Sequence, residues 1–497
     1  MHIGYRWLME HFALPDYPLP VSTLLGRQLQ TRRHNGVTVR VVTSQYAPEP
    51  EPMAQLEFAL KYEGINLPVL SAVFRAMGGG PLEDALRQTP SGKYTRLLGF
   101  YYEFCTGECL DPDIVVRGNY VPALDDADYV TAPGKNVTRW RVRNNLLGGS
   151  ALCPMVRRLP DTPGHTDDSL QHVVKALVAA IPPGVLERAA DYLYLKETKS
   201  TYRIEREEMP KQARMTRFLE LLHSAGDDAL EELLSEAGLT HRQNLIVDPR
   251  YAETGFRHLQ NYVGETLRYR EKIHYVCPPP EQVPSLINGL REMAALITEV
   301  HPVIQAALVA FALVFIHPFE DGNGRLHRFL IHDILHRGGL TPPGLLLPVS
   351  ATMLKSMREY DDALESFSRP LMNGLAVYEV DEAGHLHYSN GAALRDYYRF
   401  PDMTDVVSYL SRTVKLTIEE DFAEELQLIQ CFDMARNRIR DVVDIPDRRL
   451  DLLLRYLFQN HGTLANRKRA DFAELRDDEL AGIETEFKMA FEGIFKP

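Results

Sequence analysis

The chain has 497 residues, 45% of them hydrophobic and 25% charged, with a formal net charge of -13. This is the composition of a soluble globular protein large enough for more than one core, and two or three domains are expected. The acidic balance disfavours bulk nucleic-acid binding, which needs a basic footprint along phosphate backbones.

The opening MHIGYRWLMEHFALPDY has no basic stretch followed by an apolar core and a cleavage site, and no later segment reaches membrane-spanning length without charges. A cytoplasmic location without membrane association is therefore expected. Cys105, Cys109, Cys153, Cys277 and Cys431 are scattered and odd in number, so they make no disulfide framework and read as free thiols, mostly buried. CTGEC lacks the second pair that a metal site would need.

From about residue 53 to 110 apolar residues recur at helical spacing, with Gly64 and Pro68 separating helices. TPSGKYTRL is not a phosphate loop, because Arg87 stands where its first glycine belongs and Tyr94 follows Lys93. Residues 111 to 180 are turn-rich. Helical patterning returns at about 181 and continues to about 270, and KIHYVCPPP, Lys272 to Pro280, reads as part of a hairpin leading into a helix.

HPVIQAALVAFALVFI has Pro302 in its first turn and is apolar on nearly every face, which predicts a buried central helix. RLHRFLIHDILHRGG predicts an amphipathic helix stopped by Gly338 and Gly339. LAVYEVDEAGHLHYS alternates around a turn and predicts a β-hairpin. The remainder, roughly 401 to 497, is charged and helical, without a convincing DNA-recognition helix.

Between the central and amphipathic helices lies HPFEDGNGR. Gly322, Asn323 and Gly324 occupy the turn into a helix start, where several backbone N–H groups point into one volume and the helix dipole favours an anion. Arg325 and Arg328 are three residues apart and share a helix face, suited to clamping further phosphate oxygens. Asp321 stands where a carboxylate holds the magnesium that bridges bound phosphates. His317, at the end of the central helix, could take a proton from an attacking hydroxyl. Singly, each residue has an ordinary structural use; a turn, however, has no need of a base, an acid and two guanidinium groups at fixed offsets. Phe319 reads as a core anchor and Glu320 as a surface residue, while His327, His332 and His336 read as helix-surface or core histidines.

HPFEDGNGRLHR resembles the full signature of the Fic family: His-Pro-Phe, any residue, Asp or Glu, Gly-Asn, Gly or Lys, Arg, two more residues, Arg. The likeness extends more loosely over about 197 to 370. It implies a mainly α protein whose helical catalytic core, with a short β-hairpin flap, transfers AMP from ATP with Mg2+ to a Ser, Thr or Tyr hydroxyl of a target protein and releases pyrophosphate. His317 would be the general base, Asp321 the magnesium ligand, Gly322, Asn323 and Gly324 the anion hole, and Arg325 and Arg328 the holders of the departing phosphates.

The resemblance also implies that Lys272 to Pro280 belong to the flap that holds the target, a structural turn being the rival reading. In SMREYDDALE, Tyr360 is the candidate adenine contact, with an ordinary core tyrosine as rival. Many family members carry Ser or Thr, three residues, Glu, then Gly or Asn on an inhibitory helix whose glutamate pairs with the second motif arginine. TYRIER supplies Thr201 and Glu205 at that spacing, near 197–208, but Arg206 departs from the pattern. The expected division is 1–180 as an accessory domain, mostly helical with some mixed structure, 181–370 as the Fic domain, and 371–497 as a hairpin plus a helical domain. Self-association into a homodimer and self-modification are open expectations. Rival readings are UMP, phosphate or phosphocholine transfer, removal of AMP, or a non-catalytic ATP-sensing regulator. Gly324 argues against the phosphate-transferring variant, which carries lysine there.

Overall fold

The structure, a computed structural model, describes residues 1–34, 36–164, 167–207, 211–267, 270–341, 344–381 and 384–494. It is mainly helical, with small sheets, and it divides into two compact units that are not consecutive stretches of chain. One unit comprises 1–167, 205–338 and 356–412; the other comprises 168–204, 339–355 and 413–497. The expected boundaries at 180 and 370 thus cut across both units. The reason is long-range packing that no local composition signals. Arg399 and Asp396, far along the chain, hydrogen-bond Ser150 O and Ser71 Oγ, and Cys153 N donates to Arg399 O at 2.8 Å.

The first unit opens with a four-stranded sheet in the order His2–Ile3, Val21–Leu25, Val37–Val42, Gln30–His34, in which only the middle pair is parallel. Helices Pro52–Tyr62, Leu67–Met77, Gly80–Gln88 and Lys93–Thr106 follow. Asn66 caps the second of them by accepting from Val69 N, and Lys93, in the rejected phosphate-loop stretch, simply begins the fourth. The cysteines are free thiols, Cys109 exposed and the others buried.

In the part of this unit that carries the motif, helix Pro302–Ile316 is buried on nearly every face, as its sequence predicts. His301 caps its start, its ring accepting from Val303 N at 3.2 Å. Helix Asn323–Arg337 packs against it. The expected flap is a two-stranded antiparallel ribbon, Tyr262–Leu267 with Arg270–Val276, so it begins ten residues before Lys272. Gly264 in the middle of YVGETL weakens its strand pattern, and a register irregularity falls at Val263/Gly264. The ribbon's tip, 268–269, lies outside the described residues. The second expected hairpin pairs Tyr378–Val380 with Leu386–Tyr388; residues 382–383, near its turn, also lie outside.

The second unit contains helices Ser169–Ala179, Pro183–Ile204, Val349–Lys355, Ala423–Val442, Asp447–Gln459 and Asp477–Ala490. Leu450, Leu453, Leu457, Ile483 and Phe487 form the centre of a buried cluster among its C-terminal helices. Among the described residues no helix is long and apolar enough to cross a membrane.

Candidate active site

The site is built where the buried helix ends. His317 terminates it in the left-handed conformation, φ +53°, with a single closing bond from His317 N to Leu313 O at 2.9 Å. Pro318 follows and has no N–H with which to extend the capping. The helix-end carbonyls must therefore find other partners. Val314 O meets the His317 ring itself, Nδ1 at 3.1 Å. A carbonyl only accepts, so Nδ1 carries the proton and Nε2 keeps its lone pair. Burial lowers the His317 pKa to about 4; the Val314 bond works against that, Arg257 adds to it, and Glu205 and Asp321 oppose it. The ring is thus neutral at physiological pH, the form a general base requires.

The turn after His317 is braced from within. Asn323 Oδ1 accepts from Phe319 N at 3.1 Å while its Nδ2 donates to Phe319 O at 2.8 Å. Asn323 is buried, so its side chain shapes the loop and its backbone is what remains for a ligand. Phe319 is fully buried against Phe256, as its reading as an anchor expects, and Glu320 is exposed. Gly322 has φ +95°, and a side chain there would crowd Val247 at 3.2 Å. The first bond of the next helix runs from Leu326 N to Gly322 O at 3.0 Å. The amides of Asn323 and Gly324 precede it and have no helical acceptor, an arrangement that suits an anion.

Asp321 Oδ1 accepts from Gly322 N at 2.6 Å and from Arg325 Nη2 at 2.7 Å, and about half of its side chain is exposed. Arg325 is buried and also donates to Ile246 O at 3.0 Å, so it holds the carboxylate and the neighbouring chain in place. Among the described residues no group of three or more His, Cys, Asp or Glu could hold a metal. The half-exposed Asp321 carboxylate could supply one oxygen ligand to magnesium.

Arg328 is 1% exposed and forms an ion pair with Glu205. Burial alone would raise the Glu205 carboxyl, but the charge and hydrogen bond of Arg328, with Arg325 and His317 nearby, leave it below its ordinary value. Gly324 makes the approach feasible: a Cβ there would collide with Glu205 Oε1 and stand 3.5 Å from Arg328 Nη1. Arg328 also lies close to the Tyr360 hydroxyl. That tyrosine is 5% exposed, with its ring centroid 6.2 Å from that of His327 and 6.0 Å from that of Tyr409. His327 is a core residue.

Helix Pro183–Ile204 ends immediately before Glu205, so the glutamate lies on the turn after the expected helix and not within it; residue 208 lies outside the described residues. Arg206 has φ +59°, the left-handed conformation that glycine and asparagine adopt most readily. The departure from the family pattern is therefore a departure in ease of backbone geometry. The Arg206 side chain is largely exposed and reaches Glu265 Oε2 on the flap ribbon at 3.3 Å. Thr201 is fully buried in the second unit, its hydroxyl 3.2 Å from Ser350 Oγ.

Three residues that the sequence reading did not select also shape the loop. Gln243 donates to Asp321 O at 3.2 Å, Asn261 Nδ2 to Phe319 O at 3.2 Å, and Arg257 Nε to His317 O at 2.7 Å. All three lie 58 to 78 residues upstream of the motif positions they hold, where no local pattern marks them.

Residues 234–335 match the family model described as Fic/DOC family. A protein adenylyltransferase Fic of Nematostella vectensis is 41% identical over 70 residues, which is 14% of this chain and 16% of that protein. One of Drosophila grimshawi, of the same name, is 38% identical over 117 residues, 23% of this chain and 22% of that protein. The matched segments thus span less than a quarter of these relatives. A crystal structure of a Fic family protein from Desulfovibrio desulfuricans aligns over 61% of this chain and 88% of its own, with 18% identity and a TM-score of 0.35.

Proposed function

Because this chain carries a Fic/DOC domain over residues 234–335, we propose that it moves AMP from ATP onto a hydroxyl side chain of a target protein, releasing pyrophosphate, and that Glu205 restrains the reaction. The observation that carries the reading is the His317 ring, held by Nδ1 against Val314 O with Nε2 left to accept, four residues ahead of the Asp321 carboxylate and the turn that follows it. In this reading Nε2 takes the proton as the acceptor oxygen attacks the α-phosphorus, and the bond to the bridging oxygen of pyrophosphate breaks. The amides after Gly322 take the charge that develops on the phosphoryl oxygens. Asp321 would hold the magnesium that accompanies the triphosphate and neutralises part of its charge. Arg325 acts mainly by fixing Asp321, whereas Arg328 is the guanidinium suited to the terminal phosphate.

That last role conflicts with the Glu205 ion pair. A buried guanidinium held by a carboxylate is not available to a phosphate, and the carboxylate repels one. The resting enzyme is accordingly slow, and whatever removes Glu205 from Arg328 turns it on. The ribbon 262–276 offers strand edges on which an extended target segment can be held.

The test is incubation of the Glu205→Gly variant with magnesium and ATP labelled on either the α- or the γ-phosphate. Protein-bound label from the α position alone is expected. Label from the γ position would make the enzyme a kinase, and no label from either despite ATP binding would make the site a sensor.

A further inference from the structure

We propose that Arg257 is a positioning residue for this transfer, fixing the catalytic imidazole and the root of the flap to one another; the inference rests on the adenylyltransferase reading. Arg257 is 3% exposed and its hydrogen-bond acceptors are backbone carbonyls. Three of them are consecutive at the end of the buried helix: Nη2 lies 3.5 Å from Ile316 O, Nε 2.7 Å from His317 O, and the Arg257 backbone N 2.9 Å from Pro318 O. Two more belong to the chain on either side of the ribbon: Nη1 donates to Leu259 O at 2.9 Å and Nη2 to Pro278 O at 2.6 Å.

The need for such a residue follows from the sequence HisPro at a helix end. Proline cannot supply the N–H that would close a tighter cap, and a left-handed histidine is strained, so its backbone persists only if its surroundings over-determine it. The carbonyls from 313 to 318 each have a partner: His317 N on Leu313, the His317 ring on Val314, Tyr275 Oη on Phe315, and Arg257 on the remaining three. Arg257 thereby holds the peptide that aims Nε2. Through Leu259 and Pro278 the same guanidinium holds the ends of the ribbon that would present the target hydroxyl. A planar fork with several fixed donors can do this, and a single ammonium cannot. The charged groups that act most on the imidazole are Arg257, Glu205 and Asp321.

The experiment places Arg257→Lys and Arg257→Gln in the Glu205→Gly background and reads three quantities: α-label incorporation, ATP dissociation constant, and the His317 tautomer by nitrogen-15 NMR, its signal assigned by loss in His317→Gln. Displacement of the base by about an ångström predicts roughly a 100-fold slower transfer in both variants. The ATP dissociation constant should stay within about threefold, because the anion turn is braced separately by Asn323. The tautomer should shift from Nδ1–H alone to a mixture. Unchanged transfer with an unchanged tautomer would overturn the inference, as would parallel loss of ATP binding, which marks a merely structural role. If the parent variant labels nothing but the tautomer shifts, the positioning role stands and the assigned reaction falls.

Discussion

The Glu205 carboxylate is paired with the Arg328 guanidinium, and the two are separated in sequence by the whole segment that builds the flap and the catalytic loop. Gly324 lies beside the pair and provides the space it fills. Three residues are thus mutually dependent: a side chain on Gly324 would occupy the position of Glu205 Oε1.

The first prediction concerns that dependence. Gly324→Ala pushes the flexible end of the glutamate aside, so its cost is the loss of the pairing with Arg328. In the Glu205→Gly background the collision is gone. Thermal melts of the two singles and the double should therefore be non-additive, with Gly324→Ala costing less when Glu205 is absent. Equal costs in both backgrounds would contradict the packing described.

Arg206 holds a left-handed backbone that costs a non-glycine residue about 1–2 kcal/mol. Its link to Glu265 is made by a largely exposed side chain, so solvent screens it and it adds little. Arg206→Gly should therefore keep or raise the melting temperature and leave basal labelling as low as in the unaltered protein. A marked fall in stability or a jump in labelling would show that the arginine, and not the backbone geometry, holds the turn.

The third prediction is a pH dependence. Burial holds the His317 pKa near 4, against 6.5 for an ordinary histidine. Between those values the unfolded chain binds a proton that the native ring refuses, so this group makes stability rise with pH across that window and level off on either side. The rate should also lack a histidine-type acid limb: the Glu205→Gly variant should transfer at nearly constant rate from about pH 6 to 7, where an unperturbed imidazole titrates. An apparent pKa near 6.5 in its pH–rate profile would contradict the half-buried, neutral base.

The sequence makes the motif legible because its chemistry is contiguous: base, carboxylate, anion turn and arginines all fall between His317 and Arg328, and the central helix is announced by its apolar faces. Glu205 is legible through a spacing, although Arg206 obscured the pattern until its left-handed φ gave the pattern a physical cause. Less legible are Arg257, Gln243 and Asn261, polar residues in unremarkable segments whose use depends on which carbonyls the fold brings near. The ribbon's first strand was hidden by Gly264, and Tyr360 could not be placed because a tyrosine near a helix pattern suits a cleft wall and a core equally. The division into interleaved units depends on contacts such as Ser71 with Asp396, which no local composition change marks.

The most direct measurement is α-label incorporation from ATP by the unaltered chain, by Glu205→Gly, and by Glu205→Gly with His317→Ala, each with its ATP dissociation constant. Freeing Arg328 from a charge-assisted hydrogen bond, about 1.5–3 kcal/mol, should raise incorporation at least about tenfold. Adding His317→Ala should return it to background with ATP still bound. Equal incorporation with and without Glu205, or full incorporation without His317, would contradict the account.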